Sequence, residues 1–152
     1  MLKRLTLTPA VSAEVADAGR EGYPYEICGV MIGTFDGEVA QVSRVAALPN
    51  SAAEPERRRR FTIDPLLIVR LDRELRGTAE RLVGFYHSHP DHPAAPSATD
   101  MEYFRLWPET VWLIVPVAHG QPGQARAWWL GLKAAEATEL EVSWGAARRN
   151  AK

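Results

Sequence analysis

The amino-acid sequence predicts an α+β fold built on a mixed sheet. Three observations carry this expectation. Strand-like and helix-like runs are interspersed along the chain. At least two strand pairs are joined by hairpin-like turns, which favours a mixed sheet over a doubly wound parallel one. The 152 residues amount to one domain's length, so a single domain over residues 1–152 is expected.

The elements follow in order. Thr8-Pro9 reads as a helix start, with Thr8 as N-cap and Pro9 in the first turn, where its missing N–H costs nothing. Val11, Val15 and Ala18 recur at helical spacing, and the helix runs to about Gly22 before Pro24. Ile27 to Ile32 is a short apolar run that reads as a buried strand. Asp36-Gly37 is a hairpin signal, and Glu38 to Val45 alternates as the return strand. Asn50 to Arg60, with Pro55 and four consecutive arginines, reads as a loop.

Asp64-Pro65 repeats the cap-plus-proline start. Leu66, Val69, Leu71 and Leu75 give that helix an apolar face as far as Gly77. Leu82 to Tyr86 reads as a strand and His87 to Pro96 as a proline-rich loop. Ser97 starts a third helix reaching about Arg105. Val111 to Val117 is β-branched and apolar, as a central strand is. A turn at His119 to Gly123 leads to an aromatic-rich strand, Ala125 to Leu132. Trp128 and Trp129 are neighbours on it, so one should point inward and the other outward. Glu139 to Trp144 alternates weakly, as an edge strand would.

Composition narrows the function classes. Lys plus Arg is 18 and Asp plus Glu is 19, a net charge of −1, which does not suit binding to nucleic acid by bulk charge. No apolar run approaches the roughly 20 residues that cross a bilayer, and residues 1–10 lack the apolar core of a secretory signal, so no membrane partner is expected. Cys28 is the one cysteine, which rules out an internal disulfide and suits a reducing, cytoplasmic setting.

The chemistry is concentrated between residues 87 and 100. His87 and His89 are two apart at a strand end, so their imidazoles share a side. Ser97 and Asp100 are three apart at a helix start, so they share a face. Pro90, Pro93 and Pro96 restrict the seven intervening residues and so lower the cost of holding the two pairs together. Two imidazoles and a carboxylate form a three-ligand set that zinc accepts, with a fourth position left for water. Ser97 and Asp100 also read as a helix capping box. His92 is a further loop histidine, either a ligand or a solvent-facing side chain. Spacing alone leaves the reaction open.

At these residues the sequence resembles the JAMM/MPN+ zinc metalloprotease family in its compact bacterial form. His-Ser-His, seven residues, Ser, two residues, Asp matches the family's metal signature without a gap. Pro24-Tyr25-Glu26-Ile27-Cys28-Gly29 matches its upstream glutamate segment. Asn50, Phe61-Thr62-Ile63-Asp64-Pro65 and Gly84-Phe85-Tyr86 extend the similarity over roughly residues 5–132. The resemblance implies an MPN fold, a curved and partly barrel-like sheet flanked by helices. It implies one Zn2+ per chain on His87, His89 and Asp100, with Glu26 as general base and Ser97 as oxyanion donor.

The implied activity is hydrolysis of a peptide or isopeptide bond after the C-terminal tail of a ubiquitin-like or sulfur-carrier protein. Hydrolysis of small peptides or amino-acid conjugates, and a non-catalytic MPN scaffold, are the alternatives. Two features beside the motif have more than one reading. Cys28 reads as a small buried side chain rather than a nucleophile or ligand. Arg57 to Arg60 reads either as a solvated run or as a contact for an acidic partner or a substrate carboxylate.

Overall fold

Thr8 and Asp64 cap the first two helices as their positions before proline predict. In the computed structural model, which describes residues 1–53, 56–133 and 135–144, the Thr8 hydroxyl accepts from the Val11 N–H at 3.1 Å and opens α1 (Pro9–Gly22). The Asp64 carboxylate accepts from the Leu66 N–H at 3.0 Å and opens α2 (Pro65–Leu75). Each cap satisfies an amide that the first helical turn leaves unpaired.

Seven strands close into a ring. β1 (Arg4–Leu7) follows the N-terminus, and β2 (Cys28–Asp36) and β3 (Val39–Leu48) form a hairpin about a turn in which Gly37 has φ 62°. β4 (Arg81–Pro90), β5 (Val111–Ala118), β7 (Arg126–Trp129) and β8 (Thr138–Trp144) complete it, and the two-residue β6 (Gln121–Pro122) hangs on β5. The order is β4-β2-β3-β1-β8-β7-β5, and β5 pairs back to β4. The β1–β3, β1–β8 and β4–β5 pairs are parallel and the others antiparallel, so the sheet is mixed.

Several sequence expectations need correction. Residues 4–7 form a strand, which the sequence reading did not predict; they sit between β3 and β8 and bury Leu5 and Leu7. The last strand is not an edge, because β8 is flanked by β7 and β1. The hairpin strands run longer than expected, to Asp36 and Leu48. The Asn50–Arg60 loop contains a short 3-10 turn at Glu56–Arg58, and residues 54 and 55 of it lie outside the described residues. Neither tryptophan of β7 points to open solvent. Trp129 packs on the cluster of Leu5, Val11, Val15 and Leu113, and Trp128 on the cluster of Val30, Ile68, Phe85 and Trp112. These clusters join the sheet to α1 and to α2, respectively.

The helix α3 (Ala98–Phe104) docks by its C-terminal end. Phe104 stacks on Trp112 of β5, with ring centroids 4.2 Å apart. The Tyr103 hydroxyl accepts from the Ile63 N–H at 2.8 Å and bonds the Ile63 carbonyl at 3.2 Å. Anchoring α3 this way aims its N-terminus at the end of β4. No helix among the described residues is long and apolar enough to cross a membrane.

The parallel β4–β5 seam begins where Gly84 pairs with Val111. A Cβ on Gly84 would lie 1.8 Å from the Val111 carbonyl oxygen, inside contact distance of rigid backbone. Gly84→Ala should therefore lower the unfolding free energy by about 2 kcal/mol or more, read from a denaturant midpoint at constant slope. An unchanged midpoint would contradict the seam.

Candidate metal centre

β4 is paired on both sides, by β2 and by β5, which explains why its residues from Val83 to Pro90 are all buried. The strand extends through His87 and His89, where a loop was expected. Their imidazoles do lie on one side, with Nε2 atoms 3.2 Å apart. The Ser97 hydroxyl accepts from the Asp100 N–H at 3.0 Å, and the Asp100 carboxylate accepts from the Ser97 N–H at 2.9 Å. The capping-box reading of this pair is therefore correct. The box also fixes the carboxylate, whose Oδ2 lies 2.9 Å from His89 Nε2 and whose Oδ1 lies 3.3 Å from His87 Nε2.

One ligand atom from each of His87, His89 and Asp100 falls within 4.8 Å of the others, and all three residues are buried. The cluster suits a metal ion, on an observation of proton bookkeeping. His89 Nδ1 lies 2.6 Å from the Pro93 carbonyl, which can only accept, so Nδ1 carries the proton. In the neutral ring, Nε2 then presents a lone pair to a carboxylate and to a second imidazole. The lone pairs of His89 Nε2 and of the Asp100 carboxylate thus converge beside His87 Nε2 in a buried space, an arrangement that a cation, or a proton carried on His87, would satisfy.

The charge states reflect this. Burial works against a charge on His89, but its bonds to Asp100 and Pro93 outweigh that and raise its pKa. Burial dominates at His87 and lowers its pKa. For Asp100, burial alone would raise the pKa. The two imidazoles and the Ser97 N–H overcome that and hold the carboxyl well below the usual range.

Glu26 stands two residues before β2 and lines one cleft with His89 and Ser97, a space of about 340 Å³. It is 5% exposed, and its Oε1 has no hydrogen-bond partner. Burial, reinforced by Asp100 and opposed by His89 and Arg60, pushes its carboxyl up to about 8. It lies outside the three-ligand group. Its backbone is tied down, since its N–H donates to the Arg57 carbonyl at 2.7 Å and its carbonyl accepts from Asn50 Nδ2 at 2.9 Å.

Cys28 is buried, as expected, with Sγ 3.7 Å from the Leu48 carbonyl oxygen and 3.8 Å from that of Pro49. Burial pushes its thiol up to about 12, so it is not a nucleophile near neutral pH. His92 is exposed at the cleft and takes no part in the three-ligand group.

The sequence reading assigned no role to Ser88, the residue between the two histidines. Its hydroxyl accepts from the Ile27 N–H at 2.9 Å and its own N–H donates to the Ile27 carbonyl at 3.1 Å. This two-point clamp sets the residue after Glu26 against the ligand strand. The available signal was the odd position of Ser88 in the strand, opposite in facing to both histidines. Asn50, one of the residues that carry the family resemblance, holds the Glu26 carbonyl. It also bonds the Arg60 carbonyl and accepts from Ala52 and Thr62, which joins the arginine loop to Glu26.

The chain is similar to several known proteins. A family model described as prokaryotic homologs of the JAB domain matches residues 8–131. A protein named desampylase from Haloferax volcanii is 36% identical over 115 residues, covering 73% of this chain and 79% of the relative. One of the same name from Pyrococcus furiosus is 32% identical over 108 residues, covering 71% and 69%. The solution structure of a protein from Desulfitobacterium hafniense superposes with a TM-score of 0.76 at 28% identity, covering 92% of both chains. One from Salinibacter ruber gives 0.68 at 33% identity, covering 91% and 90%.

The raised Glu26 pKa carries a stability consequence for the metal-free protein. The folded value near 8 exceeds the ordinary carboxyl value of 4.5. The contribution of Glu26 is thus fully present below about pH 4.5 and is lost as pH rises toward 8. Glu26→Gln removes the buried charge. The metal-free variant should be more stable than metal-free wild type at pH 8, on the order of 1 kcal/mol or more, with the gap closing by pH 5. Thermal melts in chelator across that range check this, and a constant gap would contradict it.

Proposed function

The chain belongs to the JAMM/MPN+ metalloprotease family, as one of the prokaryotic homologs of the JAB domain, and from that premise we propose a specific hydrolytic function. It is a zinc-dependent hydrolase that cuts the peptide or isopeptide bond after the C-terminal tail of a ubiquitin-like or sulfur-carrier protein. His87, His89 and Asp100 hold the ion. The single observation that carries this is their convergence within 4.8 Å, in the same cleft as a buried, uncoordinated carboxyl. The desampylase relatives support the substrate class.

Bound zinc supplies Lewis acidity that brings the pKa of water toward about 7 and polarises a carbonyl. The remaining work falls to the protein. Glu26 takes a proton from the attacking water at its free Oε1 and returns a proton to the departing amine nitrogen. Ser97 spends a hydroxyl lone pair on the helix cap and keeps its O–H to donate to the carbonyl oxygen as negative charge grows there. His89 is oriented by the Pro93 carbonyl and Asp100 by the Ser97 N–H, so neither ligand must reorganise during reaction. The cleft's volume of about 340 Å³ is of the scale of a few small residues, which suits the narrow tail of a carrier.

The test is incubation with ubiquitin-like carriers bearing a C-terminal extension, with and without chelator, read by intact mass. Wild type should release the extension only without chelator. Glu26→Gln should slow release at least about 100-fold while zinc content stays at the wild-type value. Carriers left intact by metal-loaded wild type, or cut equally by Glu26→Gln, would overturn the proposal.

A further inference from the structure

The four consecutive arginines do not act alike. Arg57 Nε donates to the Ala52 carbonyl at 2.7 Å. The Arg58 guanidinium lies 5.5 Å from the centroid of the Tyr25 ring. Arg60 pairs with Glu56 at 3.7 Å and is the arginine whose charge acts on Glu26. Arg59 is different. It is exposed, it lines the cleft beside Glu26, His89 and Ser97, and it has no side-chain partner among the described residues. Its backbone is nonetheless anchored, with its N–H donating to the Glu56 carbonyl at 3.0 Å. An unpaired guanidinium carried on an anchored backbone beside a reactive cleft is a ready anion site, because its planar fork matches a carboxylate.

We infer that Arg59 binds the free α-carboxylate of the departing group, so that the preferred substrate is a carrier tail extended linearly by one or a few residues. The inference rests on the hydrolase reading above and deepens it by choosing between two leaving groups. A linear extension ends in a carboxylate close to the cut bond. An isopeptide to a lysine of a folded protein offers no such anion there. The bond chemistry is unchanged by Arg59. Water gives its oxygen to the acyl carbon, the C–N bond breaks, and the amine leaves with the proton, while Arg59 holds the anionic end. The cleft, at about 340 Å³, has the scale of a site for a small group.

The probe is a synthetic peptide of about eight residues ending Gly-Gly-Ala, made as the free acid and as the C-terminal amide. Binding is measured to zinc-loaded Glu26→Gln and to the same protein with Arg59→Ala added, and kcat/KM is measured for wild type and Arg59→Ala. With Arg59 present, the acid should be favoured by about tenfold or more in both measurements, the scale of one charge-assisted bond. Arg59→Ala should bring both ratios close to one, and Arg59→Lys should restore part of them.

Equal behaviour of acid and amide with Arg59 present overturns the inference, and undetectable binding of both counts as equal. A ratio that survives Arg59→Ala also overturns it. The two readings fail separately. Cleavage of both peptides at one rate keeps the hydrolase and removes the Arg59 role. An Arg59-dependent binding ratio without cleavage of any peptide or carrier keeps the anion site and removes the hydrolase.

Discussion

Three ligand atoms meet on buried residues at the wall of the cleft. His87 Nε2, His89 Nε2 and the Asp100 carboxylate lie within 4.8 Å of one another on residues that are 0–4% exposed. Left without a cation or a proton, that grouping is repulsive, and the Ser97 N–H on Asp100 offsets only part of it. The surrounding fold acts to keep the three together. β4 is locked between two partners, the Pro93 carbonyl holds the far side of His89, and the capping box of α3 holds Asp100. The aromatic stack of Phe104 on Trp112 fixes the helix that carries the box.

A second constraint places the fourth player. Glu26 must approach the cluster without joining it. The antiparallel β2–β4 register sets Cys28 opposite His87, and the Ser88 clamp on Ile27 continues that pairing one step further. Asn50 then pins the Glu26 carbonyl to the arginine loop. The outcome is a carboxyl with one oxygen unpartnered and a pKa lifted by burial, on the wall of the cleft that His89 and Ser97 also line. The same loop brings Arg59 to that cleft, so Glu26 and Arg59 share one backbone support.

Much of this was legible in the residues. Period-two spacing put His87 and His89 on one side. Helix-start chemistry put Ser97 and Asp100 together, and the cap is compatible with a ligand role because it takes one lone pair of Asp100 Oδ2 and leaves Oδ1 facing His87. Caps at Thr8 and Asp64 were likewise local signals, readable over four residues. Closure of the sheet was not legible. β1 and β8 pair in parallel across 137 residues of chain, from Arg4 to Glu141, and no local pattern encodes a partner that distant. Trp128 and Trp129 show the same limit, since alternation gives opposite faces but not whether each face is covered. The work of Ser88 and Asn50 also depends on long-range backbone neighbours.

The most direct measurement of the central claim is anomalous diffraction at the zinc absorption edge from crystals of zinc-loaded protein. One strong peak per chain is expected, within bonding distance of His87 Nε2, His89 Nε2 and an Asp100 carboxylate oxygen, and out of bonding reach of Glu26. A peak seated instead on His92 or on Cys28, or no ordered peak among the three side chains, would contradict it.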